Sequence, residues 1–248
     1  MTRSVASVLA IVAAASVCAA EPPLSAEKLA ALQSGWDQSI RDATGAIEKN
    51  PRDLNAFSRR GDAYFFAGKF KEAVADYDQM VELDPSLDAS HWRRGIAYFY
   101  AGRYADAAAQ FERYHSFDQV DRENGIWRYL SQVKAHGREK AREGLLKYAK
   151  DDREPFPSVY ELFAGRTTPE KILQQIDAAK ISDTEREKRL FYAELYIGLN
   201  EFIEHRPQSA QQHLERAVKN TWGPTGGYGP NYMWHVGRLQ EVALREKK

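Results

Sequence analysis

Apolar residues recur every three or four positions along most of this chain, which is the spacing of one face of an α-helix. In the clearest stretch, Phe57, Gly61 and Tyr64 share one face, and a second periodic segment carries Tyr77. Gly68 lies between the two segments and suits a short turn. The stretch therefore predicts a helical hairpin.

The same hairpin occurs twice. The chain reads RRGDAYFFAGKF from residue 59 and RRGIAYFYAGRY from residue 93, and the shared glycines Gly61 and Gly95 are 34 residues apart. Pro51 and Pro85 show the same spacing, and a proline tends to end a helix because it disfavours helical geometry at the residue before it. A fixed period of this length is the signature of stacked structural repeats.

Weaker copies flank these two repeats. The predicted intact repeats are 54–87 and 88–121, with degenerate units at 25–53, 122–151 and 188–221 and a C-terminal capping helix at 231–248. We interpret the first degenerate unit as a short helix at 25–33 followed by a second at 35–50. Residues 158–179 predict a further helical hairpin without repeat identity.

Two degenerate units depart from the pattern in their second halves. In the unit at 122–151, the second helix is expected to run through Leu145 and Tyr148. In the last unit, Tyr196 to Ala210 spans 14 residues where the intact repeats span 9. The difference predicts a longer turn at 201–208.

Two features of the intact repeats concern packing. Gly61 and Gly95 each lower helix propensity by about 1 kcal/mol relative to alanine, so we expect the helices to approach closely there, with Gly95 facing the small Ala107. Arg60 and Arg94 stand beside these glycines on the apolar side. We expect their stems to pack and their guanidinium groups to reach water.

The repeat resembles the tetratricopeptide repeat family. The residues that carry the resemblance are Gly61, Tyr64, Gly68, Phe70, Ala73, Tyr77 and Pro85 in one unit and Gly95, Tyr98, Gly102, Tyr104, Ala107 and Phe111 in the next. Arg60 and Arg94 depart from the family pattern, which usually has leucine there. The resemblance implies an all-α fold, a right-handed superhelical array of antiparallel helix pairs whose stacked units share one core.

Composition and charge narrow the expected function. The chain has 248 residues, 43% of them hydrophobic, which is enough for one domain with a sizeable core. Its 35 basic residues balance 35 acidic ones without a basic stripe, so nucleic acid is not an expected partner. The histidines have no metal-ligand spacing, TGGYGP lacks the lysine of a phosphate-binding loop, and the carboxylates of 71–84 are expected to face solvent. We therefore expect no catalytic residues, metal site or cofactor.

The first helices of the repeats carry a largely aromatic stripe on a second face. It consists of Ser58, Asp62, Phe65, Phe66, Trp92, Ile96, Phe99, Tyr100, Ile126 and Leu130. In the tetratricopeptide family this face lines the concave groove where peptides bind, so the resemblance implies a groove for protein or peptide partners. Two interpretations stay open, because these side chains either bind a partner or pack between adjacent units. The family's clamp of lysine and asparagine for a peptide carboxylate is absent.

The first 20 residues have a different character. A short basic start is followed by a mainly apolar stretch of 13 residues at 5–17, too short to span a bilayer comfortably, and then by small residues. This is the pattern of a secretory signal peptide, which makes 21–248 the mature repeat domain. Cys18, the only cysteine, has two interpretations. It belongs to a region cleaved after Ala20, or it is the acylated first residue of a membrane-associated lipoprotein.

The order of the units also resembles the NlpI-like group of bacterial tetratricopeptide lipoproteins, through the motifs WRYL, ELFAG and FYAELYIG. That resemblance implies a non-enzymatic adaptor in the periplasm or at the outer membrane, often a homodimer, that brings together cell-envelope hydrolases and a protease. Two other functions stay open. One is an exported assembly or secretion factor that binds clients transiently, and the other is an enzyme with an unrecognised site.

Overall fold

The computed structural model describes residues 22–150 and 152–246, and this part of the chain consists of helices joined by turns and short irregular segments. The helices are α1 (Ala26–Lys49), α2 (Leu54–Phe66), α3 (Phe70–Leu83), α4 (Trp92–Tyr100), α5 (Tyr104–Phe117), α6 (Arg122–His136), α7 (Arg138–Glu143), α8 (Phe156–Phe163), α9 (Pro169–Ala178), α10 (Asp183–Ile203), α11 (Pro207–Lys219) and α12 (Tyr228–Arg245). The predicted signal peptide at 1–20, including Cys18, lies outside the described residues.

Consecutive helices pack against each other as hairpins. α2 packs on α3, α4 on α5 and α10 on α11, and α3 and α5 also contact the first helix of the next unit. The core is rich in aromatic rings, and Tyr77, Phe111, Trp127, Tyr196 and Trp234 are all at most 2% exposed. The predicted all-helical array is confirmed.

The turns inside the hairpins share one backbone geometry. Gly68 and Gly102 have φ of 76° and 77°, a left-handed conformation that glycine adopts without steric cost. After Gly68, the N–H of Lys69 donates to the carbonyl of Tyr64 at 2.8 Å. This is the Schellman motif, which satisfies carbonyls at the end of the helix. His205 is also left-handed, with φ of 58°, at the end of α10.

The last repeat is more regular than its sequence spacing predicts. α10 extends through part of the predicted loop at 201–208, and α11 begins before that loop would end, so the turn is short. The residue of this unit that corresponds to Gly61 and Gly95 of the intact repeats is Gly198, so Tyr196 does not correspond to Tyr64. Gly198 precedes Ala210 by twelve residues, the same spacing as between the corresponding residues of the intact repeats. The longer turn is therefore a wrong prediction, caused by aligning the wrong residue.

The glycines of the hairpins face aromatic rings. A Cβ on Gly61 would lie 2.7 Å from the Tyr77 ring, and one on Gly95 would lie 2.7 Å from the Phe111 ring. The nearest side chain to Gly95 is therefore Phe111 and not the predicted Ala107. Each of these glycines leaves a notch in one helix, and the ring sixteen residues later fills it.

The arginines beside these glycines bind across the hairpin instead of reaching for water. Arg60 donates to the carboxylate of Asp76 from Nε at 2.9 Å and from Nη2 at 2.7 Å. Arg94, 5% exposed, donates from Nε to the side-chain oxygen of Gln110 at 2.9 Å. Because Asp76 is itself only 4% exposed, the prediction that the carboxylates of this segment all face solvent is also wrong.

Two degenerate units do not form the predicted helix pairs. α1 is one continuous helix of 24 residues, because Gly35 weakens a helix by only about 1 kcal/mol and does not break it. In the unit at 122–151, α7 ends at Glu143, so Leu145 and Tyr148 lie in a segment without helical structure. The hairpin predicted at 158–179 does form, as α8 and α9.

Candidate partner-binding groove

The C-terminal helix α12 lies across the inner face of the first repeats. Tyr232 of α12 stacks on Phe65 of α2 with ring centroids 4.9 Å apart, and it meets Trp92 of α4 edge-on, also at 4.9 Å. One turn later on α12, His235 stacks on Phe66 at 4.0 Å. Aromatic pairs of this kind contribute about 0.5–1.5 kcal/mol each beyond the burial of their surface. α12 is therefore an integral part of the core.

Polar contacts fix α12 in this position. The hydroxyl of Tyr228 donates to the carboxylate of Asp62 at 2.6 Å. Arg238 donates to the main-chain carbonyl of Phe66, and its guanidinium lies 4.6 Å from the centre of the Trp36 ring of α1. α12 is thereby tied to both α1 and α2, and the end of the array returns to its beginning.

α12 covers part of the predicted groove, through contacts with Asp62, Phe65, Phe66, Trp92 and Tyr100. The buried members are Phe65, Ile96, Phe99, Ile126 and Leu130, and the half-buried members are Ser58, Asp62, Phe66, Trp92 and Tyr100. Over the first repeats the chain's own helix packs on this face, and a binding role for the ten predicted residues stays a prediction. Arg93 also occupies two of the polar members, donating to Ser58 at 3.0 Å and to Asp62 at 2.7 Å. For Trp92 and Ile96, which line the cavity described next, a binding role stays a prediction.

The concave face remains open beyond the N-terminal end of α12. A cavity of about 260 Å³ lies there among α4, α5, α6, α10 and the first residues of α12. It is lined by Trp92, Ile96, Tyr114, Asp121, Glu123, Asn124, Trp127, Arg153, Tyr192, Gly229, Pro230 and Met233. Four of these are large aromatic side chains and four are charged or amide side chains. The cavity therefore offers apolar surface and strong hydrogen-bonding groups together.

The polar side of the cavity is built at the N-terminus of α6. Asp121 is the N-cap residue of this helix, and its carboxylate accepts a hydrogen bond from the main-chain N–H of Glu123 at 2.9 Å. The carboxylate of Glu123 accepts from the hydroxyl of Tyr196 and from the guanidinium of Arg153. Arg153 also lies 3.2 Å from a carboxylate oxygen of Asp152. The helix start thus collects three carboxylates around one guanidinium.

Burial changes the charge state of this cluster. It raises the pKa of Glu123 to about 7, because the buried carboxylate loses hydration, and the nearby Arg153 only partly opposes this. Burial also raises the pKa of Asp121, again against the effect of Arg153. Both shifts favour the protonated carboxyl groups, so the cluster carries less negative charge near neutral pH than three fully ionised carboxylates would.

Most of the residues that line the cavity could not be predicted from the sequence to form a site. Trp92 and Ile96 are the predicted groove residues that line it. Asp121 carries a local signal, since an aspartate directly before a periodic segment indicates a helix N-cap. Nothing in the sequence indicates that Arg153, about 30 residues further on, returns to this helix start. The connecting segment has no repeat identity from which its path could be inferred.

Two features of the described residues limit the chemistry available to the cavity. Within 22–150 and 152–246, no group of three or more His, Cys, Asp or Glu side chains is arranged to hold a metal ion. Over the same ranges, no helix has the length and apolar character needed to cross a membrane. What the cavity does offer is aromatic surface and charge-assisted hydrogen bonds.

The helical hairpins of this array include a stretch that is similar to tetratricopeptide repeats. Residues 61–102 match the family model described as TPR repeat. A 50-residue stretch, 20% of the chain, is 44% identical to "Small glutamine-rich tetratricopeptide repeat-containing protein 2" of Mycosarcoma maydis and covers 14% of that protein. A chain in the solved structure described as "Structure of Naa15/Naa10 bound to HypK-THB" is similar with 15% identity and a TM-score of 0.34, over 88% of this chain and 35% of that one. The chain thus spans a minor part of the length of both relatives.

Proposed function

We propose that this protein is a non-enzymatic interaction scaffold that binds a segment of a partner protein in the cavity at the start of α12. The matched repeat at 61–102 supports an interaction role, since tetratricopeptide repeats typically bind proteins. The observation that carries the proposal is the cavity itself. It lies on the concave face, combines the Trp92 and Trp127 side chains with a few charged groups, and is left open by α12. Binding sites typically combine apolar walls with a few polar groups in this way.

The packing of α12 supports the same proposal. On the neighbouring part of this face, α12 places Tyr232 and His235 against the rings of Phe65 and Phe66. The face therefore accommodates a helical segment through aromatic contacts. A partner segment lying beyond Gly229 would meet Trp92, the next ring of the same surface.

The test compares two aromatic truncations against a partner recovered by cross-linking in the protein's own cell. Trp92→Leu removes a wall of the cavity, and Phe202→Leu removes a half-buried aromatic side chain outside it. We expect Trp92→Leu to weaken binding at least tenfold, as interface hot spots do, and Phe202→Leu to change it less than twofold. Equal affinities of the two variants would contradict the proposal.

A measurement on the unsubstituted protein separates binding from folding effects. The chain has five tryptophans, and the indole N–H signals of Trp92 and Trp127 report on the cavity. Trp234 is a built-in control, because it donates to the carbonyl of Val218 and does not line the cavity. The partner should shift the first two signals and leave the third unchanged.

We also propose that the scaffold is exported, with residues 1–20 acting as a signal peptide. Support comes from the basic start, the short apolar stretch and the small residues that follow. Intact-mass measurement of the native protein tests this. A form that keeps Met1 would contradict export, and an acyl mass on Cys18 would favour membrane attachment over cleavage after Ala20.

The finer proposal concerns the partners, which we infer to be cell-envelope hydrolases or proteases brought together by a homodimeric adaptor. Its support is the order of units and the motifs shared with the NlpI-like group. Mass spectrometry of the cross-linked material tests the partners, and light scattering tests the dimer. Partners that are captured only during secretion would favour the assembly-factor alternative.

A further inference from the structure

We propose that the cavity at the start of α12 accepts a lysine or arginine side chain of the partner segment. The inference rests on the proposed function, in that it names the group bound at the same site. It follows from three observations: the size of the cavity, the aromatic side chains around it and the excess of carboxylates on its polar side.

The size fits one side chain. The cavity measures about 260 Å³, whereas pockets for whole small molecules and cofactors are usually about 300–1,000 Å³. It is also bounded on one side by Gly229 and Pro230, the first residues of α12 after Tyr228, and so lies beside the face along which a partner segment would run. A single anchoring side chain of a longer segment is therefore the occupant that the volume favours.

The walls suit a positive charge. Trp92, Trp127, Tyr114 and Tyr192 surround the cavity, and the faces of aromatic rings attract ammonium and guanidinium groups. The protein already uses such a contact here, because the guanidinium of Arg153 lies 5.7 Å from the centre of the Tyr192 ring. The apolar stem of a lysine or arginine would meanwhile contact the rings and Met233.

The charge balance selects a cation over an anion. Among the residues that line the cavity, Arg153 carries the one positive charge, while Asp121 and Glu123 are both carboxylates. Asp152 adds a third carboxylate, 3.2 Å from the same guanidinium. Arg153 is 38% exposed in its side chain, so water already weakens its hold on the buried carboxylates. A second cation would reduce the excess of negative charge, whereas an anion would add to it.

The groups around Glu123 come from every element that packs there. Asp121 precedes it on the same chain segment, and Tyr114 comes from α5. Asp152 and Arg153 come from the loop before α8, and Tyr192 and Tyr196 come from α10. Burial raises the pKa of Glu123 to about 7. A bound cation would favour the ionised carboxylate, so binding should strengthen as the pH rises from 6 to 8.

The experiment uses four pools of capped heptapeptides that are identical except for the central residue, with randomised flanking positions. The central residue is lysine, arginine, norleucine or glutamate, and norleucine keeps an unbranched carbon chain without the ammonium group. We expect the full-length protein to retain the lysine or arginine pool at least fivefold better than the norleucine pool at pH 8. The retained pool should shift the indole signals of Trp92 and Trp127.

A matched pair of carboxylate variants tests the source of the preference. Glu123→Gln keeps the size of the side chain and one acceptor oxygen but removes its charge. Glu161→Gln does the same at the exposed pair with Arg166, outside the cavity. The first variant should lower the ratio of lysine-pool to norleucine-pool binding at least threefold and abolish its rise between pH 6 and pH 8. The second should leave both unchanged.

The possible results distinguish a failure of the cation preference from a failure of the binding site itself. Equal retention of the lysine and norleucine pools with shifted Trp92 and Trp127 signals would overturn the cation preference and leave the binding site intact. Preference for the glutamate pool would overturn it by reversing the sign of the charge. If no pool moves the Trp92 or Trp127 signal, the cavity is not a peptide site, and the proposed function and the cation inference both fail.

Discussion

Replacing Gly95 with alanine tests directly how the two helices of a repeat pack. A Cβ at this position would lie 2.7 Å from Cζ and 2.8 Å from Cε2 of the Phe111 ring. Either the ring or the helix must move to admit it. The ring has little room, because it is fully buried and stacks on Trp127 with centroids 6.3 Å apart. We therefore expect the substitution to destabilise the protein.

The size of the effect follows from two opposing contributions. Overpacking a tight core by a methyl group costs about 1–3 kcal/mol, while alanine recovers about 1 kcal/mol of helix propensity relative to glycine. The net loss for Gly95→Ala is thus about 0–2 kcal/mol. Gly45 is the matched control, since it lies inside α1 and a Cβ there would meet no atom within 4 Å. Gly45→Ala should stabilise by up to about 1 kcal/mol, so the difference between the two variants isolates a packing cost of about 1–3 kcal/mol.

Urea unfolding followed by circular dichroism measures both variants, and calorimetry gives their Tm values. A change of 1 kcal/mol should move Tm by about 2–4 °C for a chain of this size. Adding Phe111→Leu to Gly95→Ala should cost less than the sum of the single changes, because the smaller side chain leaves room for the Cβ. If Gly95→Ala is as stable as Gly45→Ala, the glycine does not serve as a notch for the ring, and the packing argument is wrong.

Three further predictions concern buried pairs and can be checked by thermal and pH-dependent unfolding. Arg60→Leu should lower the free energy of unfolding by about 3–5 kcal/mol, because it leaves the Asp76 carboxylate buried without its partner. A second change, Asp76→Leu, should recover most of that loss, and no recovery would contradict the pairing. Tyr232→Ala should cost about 3–5 kcal/mol and Tyr232→Phe much less, because phenylalanine keeps the stack on Phe65, and equal losses would argue against that stack. Burial lowers the pKa of His235 to about 3, so the folded state holds it neutral, and its contribution to stability is full above about pH 6.5 and is lost as the pH falls towards 3. His235→Phe should therefore gain about 2 kcal/mol over the unsubstituted protein between pH 7 and pH 5, whereas a constant difference would show that the imidazole does not titrate in this way.

The hairpins could be predicted from the sequence because their determinants are local. The spacing of Phe57, Gly61 and Tyr64 marks one helix face, and Gly68 marks the turn through its left-handed conformation. The prediction is wrong where another residue takes the place of the turn glycine. His205 adopts the conformation that glycine has in the intact repeats, so the last turn looked longer in sequence than it is.

Only the tertiary structure shows which segment of the chain packs on each apolar helix face. A helical period shows that Phe65 and Trp92 lie on an apolar face. The same pattern is expected for a partner-binding groove and for a surface on which another helix of the chain packs. α12 packs on this face through contacts such as that between Tyr228 and Asp62, which are 166 positions apart in the chain. The path of the whole array determines whether such distant segments meet.

The cavity also forms from segments that are far apart in the chain. Asp121 and Glu123 are local features of a helix start, and Trp92 belongs to a predicted stripe, yet their meeting with Arg153 depends on a connection that has no repeat pattern. The sequence by itself determined which helices form and which faces are apolar, because side-chain periodicity and turn geometry act over a few residues. The tertiary structure decided which of those faces α12 covers and which part stays open, because that choice depends on packing between segments that are far apart in the chain.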